Sequence, residues 1–364
     1  MKVLQILYSG LGGHGSVVTS LIDADKDREW EHQVLFYGIE DILPDYKKFC
    51  ITRNIPFSFV KKERGALKTG GRAVKSVLKK YNPDVIILHS PGLIFFSIWR
   101  YCLLNRKKIF VVEHTSNDAK GFVELLAGFF AILLARKVVY LSPFYQQQMK
   151  RKFWLLPVLK RSVVIQNGID LEKFKPSGKS VIEHELNAGM IGRFILPKDQ
   201  TLIVEALEKG IHSGSFHRKI IIHFAGNGGS LLKLQEAVQK KNVQDVVRFH
   251  GLLNEEEIVG FLGKLDFYVH ASYAETMCTA VMQAMACGLP VVASNIPGIN
   301  NIVKEEENAL LFENNIIGTI IGDLAIMQED KSRKKMSESS RLYAEKYFSS
   351  IITFQRYNTL VSKN

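Results

Sequence analysis

Short runs of β-branched and other apolar residues alternate with helix-length amphipathic stretches along the 364-residue chain. The runs predict twelve β-strands: Val3–Ser9, His32–Tyr37, Asp84–His89, Ile109–His114, Lys137–Leu141, Val163–Gln166, Asn187–Gly192, Lys219–Ala225, Val246–His250, Phe267–Ala271, Pro290–Ser294 and Ala309–Phe312. Strands that alternate with helices form parallel sheets covered by helices on both faces. Two sets of six therefore predict an α/β protein with two doubly wound, Rossmann-like domains facing each other. Ligands of such domains bind beyond the carboxyl ends of the strands, which puts the expected site in the cleft between the domains.

Breaker residues divide the chain near its middle. Asn167-Gly168 is a turn signal, and Pro176-Ser177-Gly178 follows it closely. We expect an N-terminal domain over residues 1–170, a second domain over residues 171–340, and a tail over residues 341–364. The apolar spacing of the tail suits one or two amphipathic helices, which we expect to pack back on the N-terminal domain.

The positive charge is concentrated in the first half. Residues 1–170 hold 26 Lys and Arg against 14 Asp and Glu, whereas the remaining residues hold 22 of each, so the net charge of +12 lies in the first half. Its basic clusters flank two apolar runs, Gly92–Leu104 and Phe122–Ala135, which contain Arg100 and Glu124 and are too short to span a bilayer, since about 20 apolar residues are needed. This combination predicts in-plane docking on an anionic membrane. The alternative is a buried helix at Phe122–Ala135 beside a solvated basic surface.

Several other classes of protein do not fit the sequence. The aromatic and basic residues are not interleaved as in a nucleic-acid platform, so no nucleic-acid partner is expected. The four cysteines, at positions 50, 102, 278 and 287, form no CxxC pair, which fits a reducing cytoplasm rather than a disulfide framework. The start, MKVLQILYSG, contains no apolar signal core, so no export signal is expected. The glycines of Ser9–Gly15 lack GxGxxG spacing, which argues against NAD.

Three strand ends in the second half are candidates for binding a phosphorylated ligand. Arg193 and Lys198 lie on the loop after one strand, where a guanidinium fork and an ammonium can hold a diphosphate. Gly226, after the next strand, allows close backbone approach to a ligand. His250, at a third strand end, is placed to flank a nucleobase. Solvated side chains and plain turns are the alternative interpretation of these loops.

The segment Ala271–Ser294 is the most specific signal. It predicts a loop with Glu275, a helix from about Cys278 to Cys287, and Gly288 as the residue that stops the helix. The start of a helix presents unpaired N–H groups and a positive dipole end, which suit phosphate. In the first half, His89 and His114 each end a strand, so both are candidates to face the cleft.

These residues together resemble a known family. Gly192-Arg193 with Lys198, then Gly226-Asn227-Gly228, then ETMCTAVMQAMACGLPVVAS from Glu275 to Ser294, resemble the retaining nucleotide-sugar glycosyltransferases of family GT4, which have the GT-B fold. In the first half, VIQNGID from Val164 to Asp170, with Phe174, resembles the family's inter-domain strand and linker. The resemblance covers nearly the whole chain and is stronger in the second half.

The resemblance implies a role for each matching position. Arg193 and Lys198 would bind the donor diphosphate, and Glu275 would bind hydroxyls of the donor sugar. The backbone N–H groups that would contact sugar and phosphate belong to Met277, Cys278, Thr279 and Ala280. Gly12 and Gly13 would let the first loop close over the phosphate, and His114 would lie by the sugar and the acceptor. The predicted catalytic residues are therefore Glu275, His114, Arg193 and Lys198.

Two positions depart from the family pattern. Gln283 replaces the second glutamate, which holds the ribose in the family, so the charge at this position is lost. Thr276-Met277-Cys278 replaces a glycine-rich stretch and would narrow the sugar pocket. Donor identity therefore stays open, with UDP favoured over GDP on family frequency.

The predicted activity is retaining hexosyl transfer from a nucleotide-diphosphate sugar to a lipid-linked or glycan acceptor. We expect it at the cytoplasmic face of the plasma membrane, in the synthesis of O-antigen, capsule or another surface polysaccharide. Neither a cofactor nor a metal is expected, because two cations and a helix start already neutralise the diphosphate, and no oligomeric state is predicted. A non-catalytic nucleotide-sugar-binding protein and a UDP-sugar 2-epimerase on the same fold remain as alternatives.

Overall fold

A computed structural model describes residues 1–10, 12–62, 67–117, 120–178 and 185–363. The chain divides into two compact units, the first made of Met1–Gly168 with Ser350–Asn364 and the second of Ile169–Ser349. The division lies close to the expected boundary at 170. The segment that returns to the first unit begins at Ser350, and not at residue 341, because the helix that precedes it belongs to the second unit.

The first unit contains a seven-stranded parallel sheet in the order β3-β2-β1-β4-β5-β6-β7. Its strands are β1 Lys2–Leu7, β2 Glu31–Gly38, β3 Phe57–Lys61, β4 Val85–His89, β5 Lys108–Glu113, β6 Lys137–Tyr140 and β7 Ser162–Val164. Its helices are α1 Gly13–Ala24, α2 Pro44–Thr52, α3 Leu67–Tyr81, α4 Ile94–Asn105, α5 Phe122–Leu134, α6 Pro143–Lys152, α7 Val158–Arg161 and, from the chain end, α15 Ser350–Lys363.

The second unit contains a six-stranded parallel sheet in the order β10-β9-β8-β11-β12-β13. Its strands are β8 Glu185–Ile191, β9 Lys219–Ala225, β10 Val247–Phe249, β11 Phe267–His270, β12 Val291–Ser294 and β13 Ala309–Phe312. Its helices are α8 Gln200–His212, α9 Leu231–Lys240, α10 Glu255–Leu262, α11 Thr279–Ala286, α12 Pro297–Asn300, α13 Ile317–Ile326 and α14 Asp330–Tyr347.

The predicted fold class is confirmed, since both units are α/β with parallel, Rossmann-like sheets. One strand, β3, was missed by the sequence analysis. It lies at the edge of the first sheet and pairs with β2 only. Of its five residues, only Val60 is buried. An edge strand needs no continuous apolar run, so its sequence signal is weak.

Strand order reverses at β1 in the first sheet and at β8 in the second. β1 lies between β2 and β4, and β8 lies between β9 and β11. Loops at the carboxyl ends on either side of such a switch point diverge and leave a crevice, which is where open α/β sheets bind ligands. The loops after β1 and β4, and those after β8 and β11, therefore occupy the binding positions of their units.

The last helix, α15, packs on α1 and on Trp30, which lies between α1 and β2. Phe354 and Tyr357 of α15 are buried, the Phe354 ring lies 4.9 Å from Trp30, and the Trp30 indole N–H donates to Asn358 Oδ1 at 2.8 Å. The first unit is thus completed by residues from both ends of the chain.

The apolar run predicted to lie at a membrane is a two-sided helix. Ala127, Ala131 and Ile132 of α5 are fully buried in the first unit, whereas Phe122 is 80% exposed. Among the described residues, no helix is both long and apolar enough to span a bilayer.

Candidate active site

Backbone pairing places Lys198 beside the loop after β11. Asp199 caps α8 by accepting a hydrogen bond from the Leu202 N–H at 3.2 Å. Just before this cap, the loop pairs with the chain leaving β11: the Asp199 N–H donates to the Ala271 carbonyl at 3.0 Å, and the Tyr273 N–H to the Pro197 carbonyl at 2.9 Å. The ladder therefore fixes Lys198 against the segment that contains Glu275.

Lys198, Glu275, His270 and Cys278 form one side-chain cluster, called here the Lys198 cluster. The Lys198 ammonium donates to Glu275 Oε1, and His270 Nε2 lies 2.9 Å from the same oxygen. Cys278 Sγ lies 3.4 Å from His270 Nε2. His270 is fully buried, while the Lys198 and Glu275 side chains keep exposed fractions of 18% and 13%, so the two charged groups remain accessible to a ligand.

The charges in the cluster support each other. Burial disfavours the Glu275 carboxylate, but Lys198 and the His270 hydrogen bond outweigh it and lower the pKa of Glu275 to about 2. Burial likewise disfavours the Lys198 ammonium, yet Glu275 raises the Lys198 pKa above its ordinary value. Burial and Lys198 lower the pKa of His270. At neutral pH the cluster therefore contains an ammonium, a carboxylate and a neutral imidazole.

Helix α11 begins directly after the cluster. Met277 and Cys278 are buried ahead of it, and the Cys278 N–H donates to the Gly298 carbonyl at 3.3 Å. A Cβ at Gly298 would overlap the backbone carbonyl of Glu275, so a residue without a side chain is needed there. The first-turn N–H groups of α11, including those of Thr279 and Ala280, give this end of the helix a positive dipole next to Glu275.

Gly226 brings a second strand end against the first. Its φ of +138° favours glycine, and a Cβ there would overlap the carbonyl oxygen of Gly192. Its N–H donates to the Gly251 carbonyl at 2.7 Å. The backbone at the ends of β8, β9 and β10 is therefore closely packed at Gly192, Gly226 and Gly251.

The other predicted donor residues occupy the same end of the sheet. Arg193 is exposed, and no carboxylate of the described residues pairs with it. His250 is also exposed, and its Nε2 lies 2.9 Å from His223 Nδ1. Gln283 is buried, 6% exposed, within α11.

Three donor atoms of the Lys198 cluster could also coordinate a metal ion. In the described part of the chain, those of His270, Glu275 and Cys278 lie within 4.8 Å of one another. However, the Lys198 ammonium already binds the Glu275 oxygen, and burial, followed by the Glu275 charge, raises the pKa of the Cys278 thiol to about 12. A cation would have to displace the ammonium and deprotonate this thiol.

A second cluster lies in the first unit, at the ends of β1, β4 and β5. His114 Nε2 lies 2.8 Å from His89 Nδ1, and the His14 ring lies 5.5 Å from that of His114. Gly12 precedes α1, which begins at Gly13, and a Cβ at Gly12 would approach His14 Cε1 to 3.0 Å. The glycine loop and His114, which the sequence analysis singled out separately, are therefore neighbours.

A buried ion pair lies beside His114 in the sequence, between Glu113 and Lys120. Lys120 Nζ lies 2.6 Å from Glu113 Oε2 and donates to Asn117 Oδ1 at 3.0 Å. The Lys120 and Glu113 side chains are 1% and 3% exposed. Because Glu113 ends β5 and directly precedes His114, the pair anchors Lys120 to this end of the sheet.

The structure groups the predicted residues by unit. Lys198, Glu275 and Cys278 are in contact through His270, with α11 beginning beside them, whereas Gly12, Gly13 and His114 belong to the first unit. Sequence reasoning missed His270 as a site residue. The available signal was its position as the last residue of a strand, five residues before Glu275.

Comparison with known proteins identifies the class. Residues 11–173 match the family model described as Glycosyltransferase Family 4, and residues 174–343 match that of Glycosyl transferases group 1. The Anabaena Alr3699/HepE structure in complex with UDP and glucose has a TM-score of 0.84 and 18% identity to this chain, covering 100% of each chain. Two parallel Rossmann-like units with this likeness define the GT-B fold.

Curated relatives agree with that class. An uncharacterized glycosyltransferase of Methanocaldococcus jannaschii is 26% identical over 362 residues, 95% of this chain and 94% of that protein. The UDP-Gal:alpha-D-GlcNAc-diphosphoundecaprenol alpha-1,3-galactosyltransferase of Escherichia coli is 26% identical over 281 residues, 73% of this chain and 71% of that protein. The chain belongs to the GT4 family of glycosyltransferases.

Proposed function

We propose that this glycosyltransferase moves a hexosyl group from a UDP-sugar to a lipid-linked glycan acceptor, with retention of the anomeric configuration. The Lys198 cluster is the observation that carries this proposal. It places an ammonium and an ionised carboxylate on one accessible spot at a strand-order switch point, beside a helix start. Such a site matches a ligand that has a diphosphate at one end and sugar hydroxyls at the other.

The diphosphate would bind to the positive groups. Lys198 and Arg193 follow β8, and α11 presents its first-turn N–H groups from the other side of the switch point. Negative charge develops on the leaving UDP as the glycosidic bond breaks, and groups preset to meet that charge lower the barrier. Gly226 and His250, with Gln283, would contact the nucleoside end.

The sugar would bind to Glu275. An ionised carboxylate is an acceptor only, so Glu275 would accept hydrogen bonds from donor-sugar hydroxyls. His270 fixes its orientation by donating to the oxygen that Lys198 also binds. The acceptor hydroxyl would attack from the side on which UDP leaves, and its proton would pass to the departing diphosphate. His114 would contact sugar and acceptor from the first unit.

We also propose that no metal takes part in donor binding. The Lys198 ammonium provides the positive charge at the only carboxylate of its cluster. Turnover is then expected to persist in excess EDTA.

The acceptor proposal rests on one surface of the first unit, called here the apolar–basic surface. It consists of exposed residues on α5 to α7: Phe122, Val123, Leu126, Trp154, Leu155, Lys150, Arg151, Lys152 and Lys160. α5 joins the α6–α7 segment through the Phe129–Phe153 ring contact at 5.4 Å. Apolar side chains next to lysines and arginines suit an anionic bilayer, and the Escherichia coli relative is named for a diphosphoundecaprenol acceptor. We propose a role in surface-polysaccharide synthesis at the cytoplasmic membrane face.

A binding and turnover assay tests the donor proposal. The thermal unfolding of purified protein is measured in the presence of UDP, GDP, ADP and their sugars. UDP and UDP-sugars are expected to raise the melting temperature as their concentration rises. Lys198→Met should abolish this shift, whereas Lys219→Met, a surface lysine on β9, should retain it. A shift that survives Lys198→Met would contradict the proposed diphosphate site.

Product analysis separates the alternatives. Transfer to a polyprenyl-diphosphate-linked sugar with the donor's anomeric configuration is the expected result. Binding without hydrolysis or transfer would instead indicate a non-catalytic binding protein. A changed sugar formed without any acceptor would indicate an epimerase.

A further inference from the structure

Three neighbouring strands of the first sheet bring Gln5, His89 and His114 together. Gln5 lies on β1, His89 ends β4, and His114 follows β5, and these strands are adjacent in the order β1-β4-β5. Gln5 is fully buried and His89 is 5% exposed. His89 Nε2 lies 2.8 Å from Gln5 Oε1, and His89 Nδ1 lies 2.8 Å from His114 Nε2. The result is an unbroken hydrogen-bond chain through both nitrogens of His89.

With Gln5 Oε1 facing His89, this hydrogen-bond chain permits one assignment of protons. An amide oxygen only accepts, so His89 Nε2 must donate to Gln5 Oε1. A neutral imidazole has a single N–H, which makes His89 Nδ1 an acceptor, and His114 Nε2 must therefore donate to it. The lone pair of a neutral His114 is then at Nδ1. Any further hydrogen bond that Nδ1 makes is one in which it accepts.

Both imidazoles are neutral at the pH of the cell. Burial lowers the pKa of His89 to about 3, and burial together with His89 and His14 lowers the pKa of His114 well below its ordinary value. Among the described residues, the His14 ring lies against His114 and the Gln5 amide against His89, and the charges that act on the two imidazoles are those of other histidines. The single-tautomer assignment therefore holds over the working range of pH.

We propose that Gln5 and His89 are positioning residues that hold His114 as the Nε2–H tautomer, so that His114 Nδ1 accepts a hydrogen bond from a sugar hydroxyl. The hydroxyl belongs to the donor sugar or to the acceptor glycan, and this part rests on the proposed function. No proton is transferred to His114. The opposite tautomer would present an N–H to the same place and could not accept.

The tautomer can be measured without any substrate. In protein labelled with ¹⁵N-histidine, long-range ¹H–¹⁵N spectra distinguish a protonated ring nitrogen from one with a lone pair. The His114 signals are those missing from His114→Phe. Wild type is expected to show a protonated Nε2 and a lone pair at Nδ1 of His114 across neutral pH. A protonated Nδ1 in wild type would overturn the proposal.

Two substitutions of His89 form a matched pair. In His89→Asn the amide Oδ1 takes the place of His89 Nδ1 and still accepts from His114, whereas His89→Leu removes the acceptor. The Nε2–H tautomer is expected to persist in His89→Asn and to become mixed in His89→Leu and in Gln5→Leu. His212→Asn, a 70% exposed histidine on α8, is the control. If His89→Leu and Gln5→Leu leave the tautomer of His114 unchanged, the proposed positioning role of Gln5 and His89 is wrong.

Kinetics then test the link to transfer. His89→Leu and Gln5→Leu are expected to lower kcat about 10- to 100-fold, the cost of one lost hydrogen bond to the reacting complex, with donor Kd within about 3-fold of wild type. His89→Asn should recover most of kcat. An equal loss in all three variants would overturn the positioning role. Failure of the proposed function is distinct, since wild type would then lack turnover with every UDP-sugar while its tautomer stays as assigned.

Discussion

At the residue scale, Lys198 and Glu275 each stabilise the charged form of the other. Burial opposes both ions, but each lies against the other, and His270 adds a hydrogen bond to the carboxylate. Breaking one half of such a pair is costly because the remaining charge is left without its partner. Under the proposed function, a diphosphate sugar would replace part of this internal contact with its own phosphate and hydroxyl groups.

Replacing Glu275 tests the sugar contact. Glu275→Gln keeps the size of the side chain but weakens every hydrogen bond from a sugar hydroxyl, so kcat/KM for a UDP-sugar is expected to fall about 100-fold. Glu236→Gln, an exposed residue on α9, should have no effect. Steady-state kinetics with a radiolabelled donor measure both variants, and unchanged kinetics for Glu275→Gln would rule out the assigned role.

The lowered pKa of Glu275 predicts how the free energy of unfolding changes in acid. Its pKa is lowered from 4.5 to about 2 by folding, so its contribution to the free energy of unfolding is complete above pH 4.5 and is lost as pH falls toward 2. At neutral pH it amounts to about 3 kcal/mol, at about 1.4 kcal/mol for each unit of pKa. Urea unfolding of wild type and Glu275→Gln should therefore converge as pH falls. A difference that stays constant with pH would contradict the shift.

The sequence indicated most members of the two side-chain clusters, but not His270 or Gln5. Lys198 and Glu275 stand out because they follow predicted strands, and the family pattern contains both. Gln5 gives no such signal, because it is one polar residue inside an apolar strand, and the only signal for His270 is its position at the end of β11, five residues before Glu275. Gln5 and His89 are 84 positions apart along the chain, and only the pairing of β1 with β4 makes them neighbours.

At the element scale, Gly288 terminates helix α11. Gly288 has a φ of +75°, the Leu289 N–H returns to the Ala284 carbonyl at 3.0 Å, and the Gly288 N–H donates to the Met285 carbonyl at 2.9 Å. This is the glycine-dependent C-terminal motif of helices, and the sequence predicted it from Gly288 followed by Pro290. The stop sets the length of the helix whose other end faces Glu275.

An alanine at this stop should destabilise the second unit. Gly288→Ala forces a left-handed backbone on a residue with Cβ and brings that Cβ to 3.2 Å from Pro176 Cγ, so a loss of about 1–2 kcal/mol is expected. Gly322→Ala, in the middle of α13 with no atom near its Cβ position, should instead gain up to about 1 kcal/mol. Urea unfolding measures both, and equal effects would refute the argument.

At the scale of the whole molecule, charge and exposed apolar area coincide in the first unit. All of the excess positive charge lies within residues 1–170, and the exposed Trp154 and Leu155 lie there too, at 76% and 77%. Four of the thirteen residues of α5 are buried and form one face of the helix, so the two interpretations of its sequence each describe one face.

Vesicle binding tests this surface. The double variant Trp154→Asp/Leu155→Asp removes two apolar side chains and adds repelling charge, so affinity for phosphatidylglycerol vesicles is expected to fall more than about 10-fold. Leu342→Asp, 66% exposed on α14 of the second unit, is the control and should bind as wild type does. Raised salt should weaken wild-type binding. Equal binding of the two variants would exclude the apolar–basic surface as the docking site.

Local sequence determines three features of this protein: the apolar runs of its strands, the glycines at its turns and the residues of its family motifs. A buried parallel strand needs a continuous apolar run, and a left-handed turn needs glycine. These features were sufficient for two α/β units, for twelve of the thirteen strands among the described residues and for the family. Which polar side chains meet is a property of tertiary structure. The order of strands in each sheet brings His270 to Glu275 and Gln5 to His89, and no local pattern encodes that order.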